Sequence, residues 1–375
     1  MPSLRGVRQR PGPPGGLPRR AWSDRQHRRL RDDLVILSRL RQPECCLARG
    51  NRLAPAMKPP TEQAVLQAAS RCLHQEAVTA HRIPMGRSHF VFTVELVSGE
   101  SVIARITRHD RAECFAGFAY WRRQLARVGV PVPRVLSMDL TGTVLPWPIM
   151  LLEQATGDDL CNVYVDLAAA EKRTVADDLL DIQHRMSDLP PGPGYGGIAS
   201  YSDLRCHPRW SDVLWEYFTG AIDQLTPSQR QRPAIGEVRR TIRELRPHFD
   251  RIDPLPYLID ATHQNVLVDG GRVTAIVDLD EVGFGDALYP LGVARAGLLA
   301  RGPEADCIEE VAAPLCVGPI RQRVFDLYSA IACLKMLAPS PLSVTGPPSA
   351  DSQIASRLWT LLDIFATAAA HREYA

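Results

Sequence analysis

No apolar run in this 375-residue sequence approaches the roughly 18 residues that a membrane-spanning helix needs, so no such helix is expected. The basic N-terminus carries no apolar segment behind it, so it does not read as a secretory signal. None of the nine cysteines lies in a C-x-x-C pair, and no His- or Cys-rich spacing suggests a structural zinc site. The odd, scattered cysteine set argues for a reduced, cytoplasmic protein rather than a disulfide-stapled one. Internal repeats are absent too. What remains is 45% hydrophobic and 23% charged, the balance of a globular chain. Its length exceeds one ordinary small core and suggests two lobes.

Lysine is missing from residues 1–56, where 13 arginines face only four acids, a balance of +9 against −7 for the rest of the chain. "MPSLRGVRQRPGPPGGLPRR" is dominated by Pro, Gly and Arg and cannot build a core. Residues 1–56 read as a disordered extension, with Met57 as an alternative start. A basic nucleic-acid-binding arm is the competing reading, but a lone Trp22 gives no aromatic interleaving of its charges, and no specific nucleic-acid partner is expected.

From Thr61 the texture changes. "TEQAVLQAASRCLHQ" places Val65, Ala68, Ala69 and Cys72 at spacings of three and four, a helix. "HFVFTVEL" and "SVIARIT" flank Ser98-Gly99 and predict a hairpin. A helix from about Arg111 to Val128 follows, then the strand-like "VPVPRVLSMDL" and "IMLLE". Beyond Gly157 the pattern is mostly helical. Val175, Leu179, Ile182, Met186 and Leu189 form one helical stripe, and "WSDVLWEYFTGAIDQL" and "IGEVRRTIRELRPHF" predict two more helices. Helices resume near Leu291 and run to the end.

One segment interrupts the helical half. In "LIDATHQNVLVDGG", Asp260 precedes Asn265 by five residues. Val266–Val268, the Gly270-Gly271 turn and Val273–Val277 predict a tight hairpin that folds Asp278 back toward Asn265. Two carboxylates and an amide then meet at one end of an apolar ribbon. Few hard oxygen ligands suit Mg²⁺, which keeps waters and takes substrate phosphates as further ligands. Phosphoryl transfer needs this set: one carboxylate to orient the attacking hydroxyl, an amide and a second carboxylate for metal. D-x-x-x-x-N followed by a metal Asp is the spacing kinases use.

These residues resemble the aminoglycoside phosphotransferase / choline kinase-like group of small-molecule kinases, over roughly Arg82 to Leu291. "NVLVDGGRVTAIVDLDEVGFGDALYPL" is similar to that family's signature block, "GVPVPRVL" to its segment before the fourth strand, and "PIMLLEQATGDDL" to its inter-lobe linker. The resemblance implies an α+β, bilobal protein-kinase-like fold, with a β-rich N-lobe over about 57–156 and a mainly helical C-lobe over 157–375. It implies ATP, or GTP, as phosphoryl donor, with Mg²⁺. Asp260 stands at the catalytic position, and Asn265 and Asp278 at the metal positions. Glu153 and Ala155 stand where linker backbone meets the adenine. "PMGRSHFVFTV" stands where the family's phosphate-covering loop turns, with Gly86 and Ser88 as the residues offering N–H groups.

Four departures accompany the likeness. Leu258-Ile259 replaces the usual His-Gly before the catalytic Asp, so either packing holds the loop or catalysis is impaired. Arg105 fills the position of the phosphate-gripping strand cation, a role its guanidinium suits. The helix that should offer that cation a Glu has Phe118 near the usual place, with Glu113 the nearest candidate one turn earlier. His263-Gln264 replaces the usual loop residues. The sequence thus points to a kinase acting on a hydroxyl of a small-molecule acceptor, with no membrane partner. The alternative is a catalytically impaired nucleotide-binding protein of the same fold. Asp280 reads as metal helper or mere strand end, and Asp286 as a brace for the following helix.

Overall fold

The computed structural model describes residues 58–83, 89–259, 265–302, 305–338 and 352–371. The N-terminal extension, Gly86, Ser88 and Asp260 lie outside them.

The first half is a five-stranded antiparallel sheet backed by helices. Helix α1 (Glu62–Leu73) is capped by Thr61, whose side chain accepts from the Ala64 N–H at 3.2 Å, and it buries Val65, Ala68 and Ala69. Strands β1 (Ala77–Ile83), β2 (Phe90–Leu96) and β3 (Ser101–Ile106) follow, then helix α2 (Ala112–Arg127), β4 (Val135–Asp139) and β5 (Ile149–Glu153). The sheet order is β1-β2-β3-β5-β4. β2 and β3 pair through the turn at Gly99, whose φ of 81° is a left-handed position that glycine enters at little cost. Alternation along β2 sends Phe90, Phe92, Val94 and Leu96 into a core shared with α1. Each fully buried Phe there is worth about 2–3 kcal/mol of transfer free energy.

Beyond the linker at 154–157 the chain is mostly helical: α3 (Ala169–Met186), α4 (Trp210–Asp223), α5 (Pro233–Glu244), α6 (Leu288–Arg301), α7 (Pro319–Leu337) and α8 (Ser352–His371). Two three-stranded sheets sit between them and the linker. One comprises β6 (Asp158–Asp159), β9 (Val266–Asp269) and β10 (Arg272–Ile276). The other comprises β7 (Gly196–Ile198), β8 (Leu255–Tyr257) and β11 (Val282–Gly285). This is the two-lobed α+β architecture the resemblance implies, strands first and helices after. Of the five apolar positions in the predicted stripe, Val175, Ile182 and Met186 are buried on α3 and Leu179 is partly so, while Leu189, also buried, lies past the helix end at Met186.

Asp286 fixes the start of α6. Its carboxylate accepts from Arg321 at 2.6 and 3.0 Å, from the Tyr328 hydroxyl at 2.9 Å and from the Leu288 N–H at 3.1 Å. The Tyr328 hydroxyl in turn accepts from the Trp210 indole at 2.7 Å. A buried carboxylate with this many donors is held rigidly, so the brace expected of Asp286 is present. Trp210 is fully buried against Tyr257, Tyr289 and Tyr328, which makes it core. Among the described residues no helix is long and apolar enough to cross a membrane.

Candidate active site

The predicted hairpin exists. β9 and β10 pair antiparallel, with Asp269 opposite Arg272 and Val266 opposite Ile276. Gly270 and Gly271 both take positive φ, 55° and 72°, as a two-residue turn demands. The Val277 N–H donates to the Asn265 carbonyl at 2.9 Å, so Asn265 stands beside the residue before Asp278. The Thr274 hydroxyl donates to the Thr156 carbonyl at 2.6 Å, which pins the linker to the same hairpin.

Asp278 leaves the hairpin in a left-handed conformation, φ 61°, which costs a non-glycine residue of order 1–3 kcal/mol and clusters at functional sites. Its carboxylate pairs with Arg105 of β3, and Arg105 Nη2 also lies 3.1 Å from Asp280 Oδ1. Arg105 is nearly buried, at 7% side-chain exposure, while Asp278 keeps 40% and Asp280 17%. Burial works against the guanidinium charge, but Asp280 and then Asp278 hold its pKa above the ordinary arginine value. Burial likewise opposes ionisation of Asp280, yet Arg105 and His89 hold it well below the usual carboxylate range.

Helix α2 supplies the floor. The Arg105 guanidinium lies 5.7 Å from the Phe115 ring centroid and 5.5 Å from that of Phe118. Phe118, at the place where a carboxylate partner was sought, therefore meets Arg105 through its ring, a cation–π contact worth about 0.5–2 kcal/mol. Glu113 pairs instead with Arg205, 3.7 Å away. Gly117 allows the approach: a Cβ there would lie 2.4 Å from the Asp280 carbonyl oxygen.

At the linker, the Glu153 carboxylate is tied to Arg134, whose backbone N–H donates to it at 2.7 Å and whose Nε pairs with the other oxygen. Ala155, half-buried, lies on the linker itself. Leu258 is buried in the larger core and Ile259 packs against it, so apolar contacts hold the approach to residue 260.

The residues suit Mg²⁺ and nucleotide phosphates. Asp278 offers a half-exposed hard carboxylate, and Asn265 lies beside it. Arg105 Nη1 is a buried donor without a hydrogen-bond partner among the described residues. A donor orphaned in this way is costly unless something accepts from it.

A family model described as "Phosphotransferase enzyme family" matches residues 79–319, well over half of the chain. The chain belongs to the phosphotransferase enzyme family. No curated protein matches it by sequence. Among solved structures, the aminoglycoside phosphotransferase APH(4)-Ia is similar in fold, with a TM-score of 0.60 at 18% identity, covering 82% of this chain and 98% of that one. A thermostable mutant of APH(4)-Ia in ternary complex with AMP-PNP and hygromycin B gives 0.57 at 18% identity, covering 79% and 96%. A candidate fructosamine-3-kinase from Thermobifida fusca gives 0.53 at 19%, covering 81% and 98%.

Two residues at this site, His89 and Glu281, escaped the sequence. His89 Nε2 lies 2.8 Å from Asp280 Oδ2, and His89, Asp278 and Asp280 bring one ligand atom each within 4.8 Å of the others. Asp280 is thus more than a strand end. The signal in the sequence is slight: a histidine closing the stretch "PMGRSH" and an acid two residues past Asp278. The second is Glu281. Burial first, then Asp280, with Asp203 and Glu113 adding, raise its carboxyl to about 7 despite the opposing Arg205.

Proposed function

We propose that this chain transfers the γ-phosphoryl group of ATP or GTP to a hydroxyl of a small molecule, in a cleft between an N-lobe ending near residue 156 and the helical C-lobe. The observation that carries the reading is the meeting of Arg105, Asp278 and the Asn265 segment, brought from two sheets to one place, in a chain of the phosphotransferase family.

Asp260 orients the acceptor hydroxyl and takes its proton as the new O–P bond forms and the bond from the γ-phosphorus to the departing nucleoside diphosphate breaks. Asn265 and Asp278 would hold Mg²⁺, which when bound neutralises charge on the phosphates. Arg105 grips phosphate oxygens, and its unpartnered Nη1 gives it a donor for that purpose. Glu153 and Ala155 offer linker backbone to the base. Gly86 and Ser88 cover the phosphates. Packing of Leu258 and Ile259 does the work of the missing His-Gly, which favours an active enzyme over an impaired binder.

An unbiased panel of hydroxyl-bearing metabolites, sugars, amino alcohols and aminoglycosides tests this with Mg·ATP and Mg·GTP. Phosphorylated product from the wild-type chain, lost in Asp260→Ala while nucleotide binding persists, is the expected result. Nucleotide binding without transfer to any acceptor favours the impaired binder. Full turnover by Asp260→Ala removes the assigned role.

A further inference from the structure

We propose that Glu281, Tyr217 and Lys335 form the acceptor subsite and select a polyhydroxylated acid, whose hydroxyls meet Glu281 and Tyr217 and whose carboxylate or phosphate meets Lys335. The inference rests on the phosphotransferase reading of the site and names its acceptor class.

Glu281 directly follows Asp280, whose Oδ1 faces Arg105 at 3.1 Å. Its seat is a row across the β7-β11-β8 sheet, where Gly197 of β7 and Tyr257 of β8 both stand opposite Gly283 of β11. Residues directly opposite one another in a sheet share a face. Glycine empties two of the three places. A Cβ on Gly197 would lie 2.5 Å from Glu281 Oε2, and one on Gly283 would run into the Tyr257 ring. The Glu281 carboxyl and the Tyr257 ring therefore lie on one face. From there the Tyr257 ring leads to Tyr289, 6.3 Å away, and Tyr289 stacks on Tyr217 at 5.4 Å. Lys335 of α7 closes the run: its Nζ lies 3.9 Å from the Tyr217 ring centroid and donates to the Tyr289 hydroxyl at 3.1 Å.

The polar ends of these three side chains are left over by the fold. Among the described residues, neither the Glu281 carboxyl nor the Tyr217 hydroxyl has a hydrogen-bond partner, and Lys335 has no acid beside it. Glu281 and Tyr217 are half-buried, where an unpaired polar group is costly unless a ligand pairs with it. Nearby acids are already taken: Glu216 by His207 at 2.5 Å and Asp203 by Arg205 at 2.7 Å. The three belong together electrostatically. Burial raises the pKa of the Tyr217 hydroxyl, Lys335 opposes it, and Tyr289, Glu281 and Glu216 add to it.

Their chemistry names the ligand. A carboxyl pairs with hydroxyls in either protonation state, and a phenol both donates and accepts. Lys335 is exposed and held against two aromatic rings, a cation in a fixed place that lacks an anion. An amine at that end of the acceptor would meet it as a like charge.

Initial rates of the full-length chain with saturating Mg·ATP test this on matched hexose acceptors: glucose as neutral, glucosamine as amine, glucuronate and gluconate as carboxylates, and glucose 6-phosphate as phosphate. At least one acid is phosphorylated with kcat/KM roughly 10-fold above glucose, the scale of one hydrogen bond to a charged group. The carboxylate and phosphate arms show which anion is read. Lys335→Met brings that ratio to within about 3-fold by raising KM for the acid, with kcat in its order of magnitude, and Lys335→Arg restores it. Tyr217→Phe raises KM for the acid about 3-fold at an unchanged melting temperature, because its hydroxyl bonds nothing in the fold. If melting shows Lys335→Met unfolded, Lys335→Gln and Tyr217→Phe carry the test. A preference for glucose or glucosamine, no transfer to any acid while Mg·ATP binds, or a ratio that Lys335→Met leaves untouched overturns the subsite. A wild-type chain that binds no Mg·ATP in calorimetry overturns the phosphotransferase reading, and this acceptor class with it.

Discussion

Arg105 Nη2 and Asp280 Oδ1 lie 3.1 Å apart with both side chains largely withdrawn from solvent. Breaking a buried pair by removing one partner leaves an uncompensated charge and typically costs 3–5 kcal/mol. Arg105→Ala should therefore lower stability by about 3 kcal/mol as well as nucleotide affinity, His89 retaining part of the charge balance. Adding Asp280→Asn to Arg105→Ala should recover stability but not affinity. Chemical denaturation of the two variants beside wild type checks this; an Arg105→Ala protein as stable as wild type contradicts it.

Gly117 lets helix α2 come close to the backbone of Asp280. Alanine favours a helix over glycine by about 1 kcal/mol, so on propensity alone Gly117→Ala should stabilise. The added Cβ would instead sit 2.4 Å from the Asp280 carbonyl oxygen, a backbone atom that cannot turn aside. Either α2 or residues 278–281 must shift, and Asp280 moves relative to Arg105. The expected result is a loss of about 1–3 kcal/mol of stability, the range for overpacking, together with weaker nucleotide binding. A melting temperature above wild type would mean the contact is relieved cheaply.

Glu281 gives a pH signature. Its carboxyl titrates near 7 in the fold against an ordinary 4.5, with burial and then Asp280 as the main causes. Between those values the native state binds more protons than the unfolded chain, so this group makes stability fall as pH rises through the window. The penalty is complete above about pH 7 and absent below about pH 4.5. Glu281→Gln should remove it, adding on the order of 1–3 kcal/mol at pH 8 and almost nothing at pH 4. Denaturation curves across that range check the sign; parallel pH profiles for wild type and variant contradict it.

Short-range pattern carried much of the fold. The turn glycines Gly99, Gly270 and Gly271 all take positive φ, and the apolar spacing of α3 yielded its buried face. The meeting of the Asn265 segment with residue 277 was legible because a two-residue turn joins the strands, whereas the register shift between Val273 and Ala275 was not. Strand β11 was not legible as a strand, since "VGFG" holds two glycines and has no alternation to read. It forms because β7 and β8 pair with it on both sides. Tertiary partners were the least visible. A helix position tells which residue faces Arg105, but not that a ring such as Phe118 serves there in place of a carboxylate. Glu113 is a turn away and already taken by Arg205. The tie from His89 to Asp280 spans 191 residues and no local rule predicts it.

The account depends most on Asp278 as the carboxylate that joins magnesium to nucleotide. The direct measurement is the affinity of ATP for wild type and for Asp278→Asn, with and without Mg²⁺. The account predicts that Mg²⁺ tightens binding to wild type and that Asp278→Asn abolishes this gain, at least roughly 10-fold, while the protein stays folded because Asp280 still holds Arg105. Equal Mg²⁺-dependent affinity in both proteins would contradict it.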